Sequence, residues 1–105
     1  MKRFEIWLIQ FDPSKGSEIK KTRPAVIISP DALNTHLQTV IVAPLTSTKK
    51  GYPSRIATSF ENKGGEIMLD QIRAVDKGRL KKKIGVLDAR EARAVCQLLA
   101  VLFEG

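Results

Sequence analysis

A chain of 105 residues, 43% of them hydrophobic, has material for one compact domain spanning residues 1–105 with a thin core, which a second copy would usefully cover. Eighteen Lys and Arg against eleven Asp and Glu leave a net charge of +7 and a pI near 9.9, a field that attracts RNA, DNA or acidic protein segments without locating a site. One cysteine excludes an internal disulfide and a Cys-based zinc centre, and one histidine excludes a two-histidine acid/base pair. With no signal-peptide layout and no membrane-length apolar run, a soluble cytoplasmic protein without a membrane partner is expected.

Phe4 to Phe11 is rich in aromatic and β-branched residues and predicts a strand. Asp12-Pro13-Ser14-Lys15-Gly16 supplies turn chemistry, and a polar basic loop continues to Thr22. A buried strand is expected from Pro24 to Ser29. Ser29 then reads as the cap of a short helix ending near His36, with Pro30 at its first position. Thr39 to Leu45 is a further apolar strand, followed by a second basic loop from Ser47 to Pro53.

Arg55 to Phe60 and Glu66 to Val75 predict strands with a turn at Gly64-Gly65, and Lys82 to Val86 a short edge strand whose lysines discourage stray pairing. Asp88 and Glu91 resemble a capping box. Beyond them Ala92, Val95, Cys96, Leu99, Leu102 and Phe103 fall on one helical face, which places Cys96 in the core rather than in chemistry. The expected fold is α+β: a small, strongly twisted, mainly antiparallel, barrel-like sheet with a short helix and a C-terminal helix covering one side.

The chemistry is bounded by what is scarce. Carboxylates are scattered without ligand spacing, Gly64-Gly65 lacks the lysine of a P-loop, and His36 reads as a surface residue. What gathers at strand ends is arginine, lysine, hydroxyls and a few acids: Gly16-Ser17-Glu18, Arg23 and Thr46-Ser47-Thr48, with Lys20, Lys21, Lys49, Lys50 and Arg73 around them. An RNA phosphodiester carries its own nucleophile, the 2′-hydroxyl. An enzyme then needs only to align it, move protons and stabilise a more negative phosphorane, for which a forked guanidinium is suited. Threonine adds a neutral donor, and Glu18 could take the 2′-hydroxyl proton if its pKa were raised. Each residue also has a plain structural reading as turn, ion pair or strand end. On residues alone the reading stops at a basic α+β domain with a phosphate-binding edge.

Three segments in order say more. Asp12-Pro13-Ser14-Lys15-Gly16-Ser17-Glu18 followed by Thr22-Arg23-Pro24-Ala25-Val26-Ile27-Ile28-Ser29-Pro30 resembles the N-terminal signature of the MazF/PemK toxins. Ala43-Pro44-Leu45-Thr46-Ser47-Thr48 with Lys50-Gly51-Tyr52-Pro53 resembles the second motif, and Leu69-Asp70-Gln71-Ile72-Arg73-Ala74-Val75-Asp76 the third. The resemblance implies an SH3-like twisted sheet, a homodimer, and a toxin that cuts single-stranded RNA selectively, without metal or cofactor, to 2′,3′-cyclic phosphate and 5′-hydroxyl ends. It also implies an antitoxin whose acidic flexible segment covers the basic groove.

By the same resemblance Arg23 and Thr46 are the catalytic pair, with Glu18 the acidic residue of the first motif. Lys15, Gly16, Ser17, Lys20, Lys21, Ser47, Thr48, Lys49, Lys50, Asp70, Gln71 and Arg73 are expected to contact RNA. Ser17 and Met68 stand where the PemK/Kid branch carries histidine and arginine, so that branch's acid/base assignment does not transfer. Two alternatives stand beside this reading. One is a same-fold toxin acting on a protein such as DNA gyrase. The other is a non-catalytic RNA-binding module, disfavoured by the scarcity of aromatics outside apparent core strands.

Overall fold

An apolar run without alternation can form a strand only where both faces are covered, and Pro24-Ala25-Val26-Ile27-Ile28 is such a run. In the structure, a computed structural model that describes residues 1–11, 22–60 and 62–105, strand β2 (Arg23–Ile27) lies between β1 (Glu5–Ile9) and β3 (Thr39–Thr46). Its side chains enter two cores in alternation. Val26 joins Ile6, Ala43, Ile67, Leu69 and Val95 on one face; Ala25 and Ile27 join Ile9, Val40, Val42 and Val75 on the other. All twelve are at most 3% exposed, and burying a large aliphatic side chain contributes about 1.5–3 kcal/mol.

Helix α1 (Asp31–His36) joins β2 to β3, and β4 (Arg55–Phe60) and β5 (Lys63–Met68) form a hairpin. After β6 (Arg73–Asp76) come the edge strand β7 (Leu80–Val86) and helix α2 (Ala89–Leu102). The recorded pairings are antiparallel, in the order β4-β5-β3-β2-β1-β7, with β6 also on β3. The sheet curls into a half-barrel, as expected for the α+β reading. Among the described residues no helix is long and apolar enough to cross a membrane.

Several local expectations are corrected. The first strand begins at Glu5 because Phe4 has φ 72°, its N–H bonding Ile27 O at 2.7 Å and its carbonyl accepting from Leu87 N at 2.9 Å. Ser29 does not cap α1. Pro30 is the N-cap, while the Ser29 hydroxyl bonds Asn34 and accepts from Ile41 N at 3.0 Å, stitching the helix to β3. Gly64 and Gly65 lie inside β5; the turn before them uses Asn62 at φ 61°. Gly65 is required by close approach, since a side chain there would strike the Thr46 carbonyl oxygen. The expected strand from Glu66 to Val75 is broken by a 3-10 turn at Leu69–Gln71 that buries Leu69 and lets β5 pair with the end of β3 and β6 with its beginning.

Helix α2 carries the expected capping box: Asp88 Oδ1 accepts from Glu91 N at 2.7 Å and Glu91 Oε1 from Asp88 N at 3.1 Å. Its buried stripe is Val95 with Leu98 and Leu99. Cys96, expected in the core, is exposed, because Leu98 rather than Cys96 flanks Val95 on the packed side. Phe103, also expected on the packed face, is 70% exposed beyond the sheet. Replacing Asp88 by Ala removes the cap and should lower unfolding free energy by about 1 kcal/mol. In a urea titration this is a lower midpoint at unchanged slope.

Candidate active site

Strands that end together leave side chains and unpaired backbone facing a common space. The ends of β1, β2 and β3 meet the β4–β5 hairpin around an open groove of about 840 Å³. Arg23, Thr46, Ser47, Gln71 and Arg73, five of the residues singled out in the sequence, line it. Among the described residues no acidic one is in its lining, which also includes Lys63 and Arg55. The groove's apolar floor comes from Leu8, Pro44, Phe60 and Ile84.

Arg23 opens β2 opposite Ile9 and is exposed. The β2–β3 register pairs Ala25 with Pro44; continued two residues, it sets Arg23 opposite Thr46, the last residue of β3. Among the described residues no carboxylate pairs with Arg23. Thr46 Oγ1 accepts from Thr48 N at 3.1 Å. That contact uses an oxygen lone pair and leaves the hydroxyl proton to donate. The two therefore present a guanidinium fork and a hydroxyl donor to one groove, a combination suited to an anionic oxygen. Phe11 lies on the same wall: the Arg73 guanidinium sits 5.2 Å from its ring centre, and Arg79 Nη1 donates to its carbonyl at 2.7 Å.

A second cluster borders the groove, and sequence reasoning missed most of it. Arg55 Nε donates to Asp70 Oδ1 at 3.2 Å and its Nη1 reaches Glu66 Oε1 at 3.5 Å. Glu66, nearly buried, accepts from the backbone N–H groups of Lys50 at 3.0 Å and Gly51 at 2.8 Å. These two amides, then the Arg55 guanidinium, hold the Glu66 carboxyl below its ordinary value despite burial. The Arg55 guanidinium foremost, with Gln71 and Ser54, holds Asp70 well below the usual carboxylate range, and Asp70 in turn raises the Arg55 pKa. Gly51 sits at φ 68°, which turns the loop so that consecutive N–H groups face one carboxylate. The partners lie on neighbouring strands, where Ala57 is registered with Glu66 and Arg55 with Met68; no spacing in the sequence signals them.

Other predicted contacts are placed less centrally. Thr48, Lys49 and Lys50 are exposed on the loop after β3, with Lys49 Nζ over Gly64. Asp70 lies off the groove, engaged with Arg55. Lys15, Gly16, Ser17, Glu18, Lys20 and Lys21 lie outside the described residues. Among the described residues no three of His, Cys, Asp and Glu gather as a metal-ligand group.

Replacing Glu66 by Ala should speed hydrogen exchange of the Lys50 and Gly51 amides on the order of 10–100-fold, since charge-assisted hydrogen bonds are lost. The depressed carboxyl adds a pH signature. Its contribution is complete above pH 4.5, the ordinary value, and is lost only as pH falls through the lower folded value. Protection of both amides in the wild type should therefore persist as pH drops through 4.5, read by exchange mass spectrometry.

Comparison with known proteins agrees with this architecture. Residues 2–103 match the profile of the PemK-like, MazF-like toxins of type II toxin–antitoxin systems. The chain is 33% identical over 98 residues to the endoribonuclease toxin MazF of Escherichia coli strain K12, covering 92% of this chain and 87% of that protein. A crystal structure of MazF from Deinococcus radiodurans superposes with a TM-score of 0.80 at 25% identity, covering 100% of this chain and 97% of that one. A MazE–MazF structure from the same organism gives 0.76 at 28% identity, covering 96% and 92%. From its N-terminal strand to its last helix, the chain belongs to the PemK-like, MazF-like toxins of type II toxin–antitoxin systems.

Proposed function

We propose that this chain is an endoribonuclease that cuts single-stranded RNA through attack of RNA's own 2′-hydroxyl on the adjacent phosphorus, leaving 2′,3′-cyclic phosphate and 5′-hydroxyl ends. The observation that carries the reading is that Arg23 and Thr46 line one open groove whose described lining holds basic and no acidic side chains. An extended polyanion fits such a groove, and a phosphate set against Arg23 would meet a fork of N–H donors and the Thr46 hydroxyl together.

In this mechanism the 2′-oxygen forms a bond to phosphorus while the bond to the 5′-oxygen breaks. Negative charge rises on the non-bridging oxygens, where Arg23 and Thr46 act. Arg23 also donates a proton toward the departing 5′-oxygen. Arginine is a poor base, with a pKa above about 12, so the 2′-hydroxyl proton goes to another group. Glu18, which lies outside the described residues, is the candidate. Ser47, Gln71 and Arg73, on the same wall, hold flanking nucleotides. Lys49 and Lys50 attract the backbone from the loop.

Cleavage of a long unstructured RNA in EDTA, with product ends determined, tests the reading. The wild type should cut at selected sites, and Arg23→Ala and Thr46→Ala should each lower the rate on the order of 10²–10³-fold. Folded wild type that leaves several RNAs intact would point to a protein target instead.

Complexes of related toxins support an antitoxin as the partner of this chain. We propose that its acidic segment lies across the same basic groove, as an electrostatic mimic of the RNA backbone. The active form is proposed to be a homodimer, with Val86, Val101 and Phe103 among the exposed apolar side chains a second copy would cover. Saturating antitoxin should abolish cleavage in a competition assay, and undiminished cutting by the full complex would refute shared occupancy.

A further inference from the structure

Single-stranded RNA offers flat base faces as well as phosphates, and proteins take hold of those faces with exposed aromatic rings. Six aromatic residues are available. Phe4, Phe60, Trp7 and Phe11 pack against the two cores, which leaves Tyr52 and Phe103 in solvent. Phe103 follows the last turn of α2 beside Glu104, whereas Tyr52 stands in the basic loop after Lys49 and Lys50. Tyr52 is 49% exposed although one face of its ring is covered by the Arg55 guanidinium, 4.7 Å from the ring centre. The opposite face is therefore the open one.

The loop that carries the ring is also held in place. The Tyr52 backbone carbonyl accepts from Arg55 N at 3.1 Å, and the preceding residues Lys50 and Gly51 are fixed through their N–H groups to Glu66. The guanidinium beneath the ring is clamped by Asp70 and Glu66, so its charge is already matched and it is not free to serve a phosphate. Arg55 itself lines the groove, so the ring stands one residue out from the groove wall. A half-exposed ring on an anchored loop, backed by a guanidinium, flanked by two exposed lysines and adjoining a polyanion groove, is complementary to a nucleobase with its attached phosphates.

We propose that Tyr52, backed by Arg55, is a stacking platform for an unpaired nucleobase of the RNA strand, outside the Arg23–Thr46 centre. The proposal rests on the ribonuclease reading only for the choice of RNA over other single-stranded ligands. Stacking on one face tolerates any base, so the platform contributes affinity and register, and Arg55, Asp70 and Glu66 act as positioning residues beneath it.

The test measures binding of the full chain to a short 2′-O-methyl RNA of mixed sequence, which cannot be cleaved. The same backbone without bases serves as a second probe. Tyr52→Ala should weaken binding of the base-bearing oligomer about tenfold, with Tyr52→Phe binding like wild type. The slope of affinity against salt should stay unchanged, because no phosphate contact is removed. Wild type and Tyr52→Ala should bind the baseless oligomer equally.

Equal binding of the base-bearing oligomer by wild type and Tyr52→Ala overturns the platform. So does loss of the baseless oligomer in Tyr52→Ala, which would mean that Tyr52 only supports the loop. A variant weakened for an acidic antitoxin peptide but not for the oligomer overturns it in favour of a protein contact. Wild type that binds the oligomer through Tyr52 but cuts no RNA leaves the platform standing and removes the ribonuclease reading.

Discussion

Strand β3 is shared by three neighbours, and the geometry of the groove follows from that sharing. Its first half pairs with β6, its middle with β2 and its last two residues with β5. An eight-residue strand can serve all three only if the chain leaves β5 and returns as β6 through a compact turn, which Leu69–Gln71 provides. The same arrangement brings the end of β3 beside the start of β2 and against β5, where Gly65 alone allows the backbones to approach. Thr46 is thus fixed by its pairing with Glu66 of β5, and Arg23 by its register with Ile9 of β1. The place of each on the groove is a property of the sheet, not of a loop.

A division of labour among the charges is superimposed on that frame. Carboxylates beside the groove are occupied by partners that keep them ionised: Glu66 by two backbone amides and Asp70 by Arg55. Neither acid is in the groove lining, and the guanidinium between them is neutralised in place. Arg23 differs, being exposed at a strand start with no carboxylate partner among the described residues. Two arginines of equal formal charge thereby take opposite parts, one structural and one presented to solvent.

Much of the frame was legible because apolar runs and caps act locally. Pro24 to Ile28 could be nothing but a covered strand, and Asp88 with Glu91 announced α2. The residues chosen as candidates at strand ends, Arg23, Thr46 and Arg73, do face one groove, since hydroxyls and cations at sheet edges have few other places to be. What escaped was set by long-range register. The Glu66 cluster joins residues on paired strands and a loop, and its acids and arginine look like ordinary strand surface until β4 and β5 are aligned. Gly64-Gly65 reads as a turn because a glycine needed for close approach looks the same in sequence as one needed for a bend. Cys96 falls on the periodic apolar face of the sequence, yet it is Leu98 and Leu99 that pack with Val95, which leaves the thiol in solvent.

That last detail has a practical side. The chain holds one thiol, and it faces solvent on α2 rather than lying in the core. Maleimide chemistry on the unaltered protein therefore yields a single conjugate of known position and stoichiometry. A dye attached there rides on the helix whose capping acid, Glu91, is hydrogen-bonded to Thr58 on the groove wall. Occupancy of the groove could then be followed by fluorescence without introducing any residue that evolution did not put there.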